Sequence, residues 1–238
     1  MASTGGSQDQ PHIPVDPITD AWLVVPLYNE ALVVRGVIEE ARRVFPLVVA
    51  VDDGSKDDSA AQAQAGGAVV VRHPLNLGQG AALQTGITYV LERTTADYLV
   101  TFDADGQHSA GDAAAMVRAA QQENLAFVLG SRFLAGPSPV GRLKRIVLKT
   151  AAAAASHTTG MHLTDAHNGL RVIRRDAAEQ LELRQNRMAH ASEIIRQLGA
   201  TGLPWREFPV RIAYTEYSKS KGQSLWNSIN ILVDLLFS

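Results

Sequence analysis

From Ala21 onward, short apolar runs alternate with longer stretches whose apolar residues recur at helical spacing. Trp22–Pro26, Leu47–Val51, Ala68–Arg72, Tyr98–Phe102 and Phe127–Leu129 have the length and composition of buried strands. Between them, Ala31–Phe45 places Leu32, Val33, Val37, Ile38, Ala41 and Val44 at helical spacing, and Ala81–Glu92 and Asp112–Glu123 also read as helices. The alternation over Ala21–Ser131 predicts an α/β fold, a doubly wound and mostly parallel sheet flanked by helices. Past Ser131 come a basic, Ala-rich segment, an apolar stretch at Leu170–Ile173, a helix near Ser192–Leu198 and a strand around Phe208–Tyr214.

Three units follow from this pattern. Residues 1–20, rich in Pro and Gly and without Lys or Arg, read as a mobile lead-in; 21–215 form one domain; 216–238 carry a basic loop and an amphipathic helix. In that helix Leu225, Ile229, Leu232 and Leu236 share a face opposite Asn227, Asn230 and Asp234. Such a face packs on the core, forms a homodimer, or meets a membrane or a small membrane-protein partner.

Composition narrows the function. With Lys+Arg 22 against Asp+Glu 24 the net charge is −2, which argues against a nucleic-acid-binding surface. The absence of Cys excludes thiolate metal sites, cysteine nucleophiles and disulfides. No run approaches the ~18 apolar residues of a membrane span, and the opening lacks the basic start and apolar core of a secretory leader. Charge is nonetheless uneven. Between Asn124 and Thr164 there is no acid, while Arg132, Arg142, Lys144, Arg145 and Lys149 accumulate beside Leu143, Ile146 and Val147. That is either a solvated helix face or a patch for a lipid phosphate and anionic headgroups.

Sheets of this kind bind ligands beyond the carboxyl ends of their strands. There the chain carries Tyr28-Asn29-Glu30, Asp52-Asp53-Gly54-Ser55 and Asp103-Ala104-Asp105-Gly106-Gln107-His108. On an extended segment Asp103, Asp105 and Gln107 project the same way, and their hard oxygens suit Mg²⁺ or Mn²⁺. An EF-hand is excluded because its sixth position holds His108 and its twelfth Ala114. A solvated turn capping the next helix is the alternative. Asp52–Ser55 alone reads as a turn, and Asn76-x-Gly78-x-Gly80 matches neither the dinucleotide fingerprint nor a P-loop.

Taken together, Pro26-x-Tyr28-Asn29-Glu30, Val51-Asp-Asp-Gly-Ser55, Asn76-x-Gly78-x-Gly80, Asp103-Ala-Asp105-Gly-Gln107-His108 and Gly130-Ser131-Arg132-Phe133 resemble inverting family 2 glycosyltransferases of the GT-A fold. The likeness is strongest to synthases that join a sugar to a polyprenyl or dolichyl phosphate, and it covers about Ala21–Tyr214. It implies a Rossmann-like GT-A sheet and a nucleotide site at Pro26, Tyr28, Glu30, Asp53, Gly80, Asp103 and Ala104. It implies Mg²⁺ or Mn²⁺ on Asp103, Asp105 and Gln107, with catalytic roles for Asp105, Asp165 and Arg132. The acceptor phosphate falls to Arg132, Lys144, Arg145, Arg171, Lys219 and Lys221. Two departures are Leu170 in place of Phe in Asp165-x-x-x-Gly169-Leu170-Arg171, and Lys in place of Arg in Tyr217–Gly222.

The implied reaction transfers a hexosyl group from a UDP- or GDP-sugar to a polyprenyl phosphate, at the inner face of a membrane that a cytoplasmic enzyme visits peripherally. Addition to a saccharide hydroxyl, with Asp165 as base, is the alternative; a non-catalytic sugar-nucleotide binder is the second. Nucleotidyltransferases are disfavoured because Leu27-Tyr28-Asn29-Glu30 stands where their Gly-rich basic loop would be.

Overall fold

A computed structural model describes residues 16–136, 141–186, 189–213 and 217. Its strands are β1 (Ala21–Leu27), β2 (Val48–Asp52), β3 (Val69–Arg72), β4 (Tyr98–Thr101), β5 (Phe127–Ser131), β6 (Arg171–Arg174) and β7 (Trp205–Pro209). The helices are α1 (Val34–Ala41), α2 (Ser59–Ala65), α3 (Gln79–Arg93), α4 (Ala110–Gln122), α5 (Arg142–Thr159), α6 (Arg175–Ala178) and α7 (Ala189–Ala200). The strands form one sheet in the order β3-β2-β1-β4-β6-β5-β7.

Pairing is parallel except at β6, which runs antiparallel to β4 and β5. The first residue of β6, Arg171, therefore sits at the edge where β1, β2, β4 and β5 end. Successive strand residues serve opposite faces. Leu23, Val25 and Leu27 cluster with Ile38, Met116 and Val117, whereas Val24, Val49 and Val51 cluster with Leu83, Ile87 and Ile194. Burial on both faces explains why these strands are unbroken apolar runs.

Three boundaries differ from the sequence expectation. The first helix is shorter, because 31–33 form a turn after Asn29, whose φ is +55°. The last strand begins at Trp205, which lies opposite Phe127 with their rings stacked at 5.8 Å, and it stops at Pro209. The ordered domain begins before Ala21: Ile18 is buried and its N–H bonds to the Val44 carbonyl at 2.8 Å. Residues 1–15 and the C-terminal helix at Leu225–Phe237 lie outside the described residues.

Candidate active site

The loops after β1 and β2 are stapled together. Asn29 N donates to Ser55 Oγ (2.9 Å), Glu30 N to Ser59 Oγ (2.7 Å), and Lys56 N to Asn29 Oδ1 (2.9 Å). These bonds hold Tyr28 and Glu30 at one wall of a cleft of about 420 Å³, which Pro26, Asp53, Gly78, Asp103, Ala104 and Asp105 also line. Tyr217 Oη donates to Glu30 Oε2 at 2.7 Å. The first residue of the basic C-terminal segment thereby reaches the same wall.

Asp53 is buried, and its carboxylate accepts from Leu77 N (2.9 Å) and Gly78 N (2.8 Å) with His73 Nδ1 at 2.8 Å. It closes the loop that leads into α3 as well as facing the cleft. Gly80 does not line the cleft. A Cβ there would overlap the Gln185 carbonyl and press on His190, so this glycine admits Gln185 and His190 against α3.

The Asp103–Gln107 segment is a turn rather than an extended run, with Gly106 at φ +75°. The shared direction expected for Asp103, Asp105 and Gln107 is lost, since period-two alternation needs extended backbone. Asp103 and Asp105 face the cleft, whereas Gln107 lines a second cavity of about 390 Å³ with His108. Gln107 donates to Asp105 through both its backbone N–H (3.0 Å) and its side-chain amide (2.8 Å). His108 Nε2 lies 2.8 Å from Asp103 Oδ2. Burial and then the neighbouring Asp103 push the Asp105 carboxyl up to about 6. At Asp103 burial raises the pKa, but His108 and Arg171 outweigh it and hold the carboxyl below the ordinary range.

This donor set fits a hard divalent cation. Two carboxylates face one space, and one of them is short of positive charge. Among the described residues no group of three His, Cys, Asp or Glu side chains converges, so substrate phosphates and water would complete the shell.

A cationic arm lies across the strand edge. Arg132 Nε donates to Asp165 Oδ2 at 2.6 Å, Arg132 N to the same oxygen at 3.1 Å, and Arg132 Nη2 to the His167 carbonyl at 3.1 Å. The Asp165 side chain is 0% exposed. Arg171 is buried, its Nε has no hydrogen-bond partner, and burial lowers its pKa to about 10 against the opposing pull of Asp103 and Asp165. Arg145 lies over the Phe133 ring at 5.9 Å, on the exposed side of α5. Lys144 belongs to the same helix, with its side chain outside the description, and Lys219 and Lys221 lie outside the described residues.

A family model described as Glycosyl transferase family 2 matches residues 22–182, from β1 through α6. The chain belongs to this family. As a family 2 glycosyltransferase it is 28% identical over 239 residues to the UDP-N-acetylglucosamine--dolichyl-phosphate N-acetylglucosaminyltransferase of Methanococcus voltae, covering 90% of this chain and 94% of that one. It is 30% identical over 235 residues to the undecaprenyl-phosphate 4-deoxy-4-formamido-L-arabinose transferase of Pseudomonas aeruginosa, covering 93% and 64%. The glucosyl-3-phosphoglycerate synthase of Mycobacterium tuberculosis, solved with UDP, superposes with a TM-score of 0.66 at 21% identity, covering 91% and 79%. That likeness establishes the GT-A fold expected from the motifs.

Some residues around the glycosyltransferase site carried no sequence signal. Ser59 acts through a backbone N–H of a distant loop, and His190 meets Gly80 only through the fold, while Ser55 was visible in its motif but not its bond to Asn29 N. His108 was visible in its motif, but its bond to Asp103 requires the turn.

Proposed function

We propose that this glycosyltransferase moves a hexosyl group from a UDP- or GDP-sugar to a polyprenyl phosphate, with inversion at the anomeric carbon. The observation that carries the proposal is the adjacency of two opposite charge fields at one sheet edge: the Asp103/Asp105 cleft and the Arg132/Arg171 arm. The names of the Methanococcus and Pseudomonas relatives, both polyprenyl-type phosphate transferases, support the acceptor class.

Pro26, Tyr28, Glu30, Asp53 and Ala104 would bind the nucleotide. Asp103 and Asp105 would hold Mg²⁺ or Mn²⁺, which when bound supplies positive charge to the leaving diphosphate. Gln107, whose two N–H groups donate to Asp105, would orient that carboxylate beside the cation. A phosphomonoester has a second pKa near ~6, so the acceptor arrives largely dianionic and nucleophilic. It needs cations to position it more than a base to activate it. Arg132 supplies that, buried Arg171 adds its charge from behind, and Arg145, Lys144, Lys219 and Lys221 are further candidates nearer the surface.

The enclosure of Asp165 against Arg132 supports the same acceptor, because a base for a sugar hydroxyl must reach that hydroxyl. Arg145, Lys149 and Ile146, 62% exposed, stand together on α5, and Leu134 is 46% exposed. Basic and apolar groups side by side suit peripheral attachment to an anionic membrane face, which supports a site of action at its cytoplasmic side. No helix among the described residues is long and apolar enough to cross a membrane.

The deciding assay incubates the protein with Mn²⁺, UDP- and GDP-sugars and a short polyprenyl phosphate, and resolves lipid-linked sugar and released nucleoside diphosphate. Lipid-linked product is expected. Transfer to an added saccharide with no lipid product would overturn the proposal.

A further inference from the structure

Glu207 lies on the edge strand β7, beyond the 22–182 stretch that the family model matches. Its two oxygens receive four contacts from two consecutive residues. Thr164 N approaches Oε1 at 2.8 Å and Oε2 at 3.0 Å, Thr164 Oγ1 donates to Oε2 at 2.8 Å, and Asp165 N donates to Oε1 at 3.0 Å. The Thr164 hydroxyl also lies 2.6 Å from Ser131 Oγ, the last residue of β5 and the neighbour of Arg132. Asp165 in turn holds Arg132 by its backbone N–H and its guanidinium.

One carboxylate on β7 thus fixes both the loop that supplies Arg132 with its carboxylate partner and the strand end from which Arg132 departs. We propose that Glu207 is a positioning residue for the acceptor: it sets the guanidinium of Arg132 through Thr164 and Asp165. This rests on the reading of Arg132 as an acceptor-phosphate ligand. Glu207 faces backbone N–H groups that need a negative or double acceptor; without it, Thr164 and Asp165 lose their common anchor, and Asp165 carries Arg132 with it. The donor cleft of Tyr28, Glu30 and Asp105 is built from other loops and is untouched.

Glu207→Gln keeps the volume but replaces one acceptor oxygen with an NH₂ that opposes those N–H groups. The KM for polyprenyl phosphate is expected to rise about 10- to 100-fold, the scale of a displaced reactive group, while the KM for the sugar nucleotide stays unchanged. Glu207→Asp, which retains both oxygens, recovers part of the loss. Should Glu207→Gln misfold, Thr164→Val removes only the hydroxyl link and raises the acceptor KM by a smaller factor. An unchanged acceptor KM, or an equal fall in every parameter through loss of active protein, would overturn the inference.

Site-resolved amide hydrogen exchange separates this inference from the function on which it rests. If the wild-type protein makes no lipid-linked sugar, the acceptor reading fails, yet faster exchange at Arg132 and Asp165 in Glu207→Gln still upholds the positioning link. Unchanged exchange at Arg132 refutes the link even where lipid transfer is observed.

Discussion

Arg132 and Asp165 meet through a 2.6 Å Nε–Oδ2 bond in which the carboxylate is fully enclosed and the arginine side chain is 12% exposed. A charge pair this enclosed stabilises less than it protects: removing one partner leaves the other buried and uncompensated. Asp165→Asn is therefore expected to cost about 3 kcal/mol in urea unfolding. Adding Arg132→Met should recover part of that cost, and strict additivity of the two changes would show that the pair is not coupled.

The cleft carboxylates give a metal test. At a Mn²⁺ concentration about 100 times its Kd, binding should stabilise the native protein by about 2.7 kcal/mol, seen as a rise in Tm. Asp105→Asn should abolish the rise with little change in Tm without metal. An equal Mn²⁺-dependent rise in the variant removes Asp105 from the cation site.

His167 gives a pH test. Burial, outweighing the pull of Asp165, lowers its pKa from 6.5 to about 4, so between those values the unfolded chain binds a proton that the folded chain refuses. Its contribution is complete above pH 6.5 and is lost as acid carries the pH toward 4, a difference of up to about 3 kcal/mol. Asp105, raised from 3.8 to about 6, acts with opposite sign: its contribution is present at low pH and lost as the pH rises through 6. The two offset one another in the wild type. His167→Gln should remove the acid-side loss and leave a protein that gains stability as the pH falls from 6 toward 4. Parallel wild-type and variant curves would contradict the buried neutral imidazole.

Gly169 stands against a cleft-facing carboxylate: a Cβ at this position would overlap Asp103 Oδ2. Gly169→Ala should displace Asp103 and lower kcat about 100-fold, the usual penalty for a misplacement near 1 Å, in a protein whose far-UV spectrum is unchanged. Retained turnover would mean that Asp103 has room to move.

Tyr217 closes on the cleft through the Glu30 carboxylate at 2.7 Å. Tyr217→Phe removes a hydrogen bond to a carboxylate worth about 1.5 to 3 kcal/mol, so calorimetry should show UDP or GDP binding weaker by up to about 10- to 150-fold. Identical affinity would uncouple the C-terminal segment from the donor cleft.

The centre of the sheet was legible because β1, β2, β4 and β5 are buried on two faces, which leaves apolar runs that local composition reveals. β7 was harder to place: Trp205, Arg206, Glu207 and Phe208 mix polar and apolar groups, and the pairing of Trp205 with Phe127 sets its start. The paired carboxylates were legible as Asp103-x-Asp105. That Gln107 would donate to Asp105 through both its backbone N–H and its side-chain amide was not, since one left-handed residue, Gly106, makes a turn of the segment expected to be extended.

The order of residues along the chain therefore determined the strands, the acidic strand ends and the basic acid-free stretch, all of which are local patterns of polarity and charge. Only the tertiary structure decided that Glu207 holds Thr164 and Asp165, that Asp165 is enclosed by Arg132, and that Tyr217 reaches Glu30. Those bonds join residues 33 to 187 positions apart. Their energy depends on distance and burial, which arise when an antiparallel β6 and an edge β7 bring separate loops to one side of the sheet.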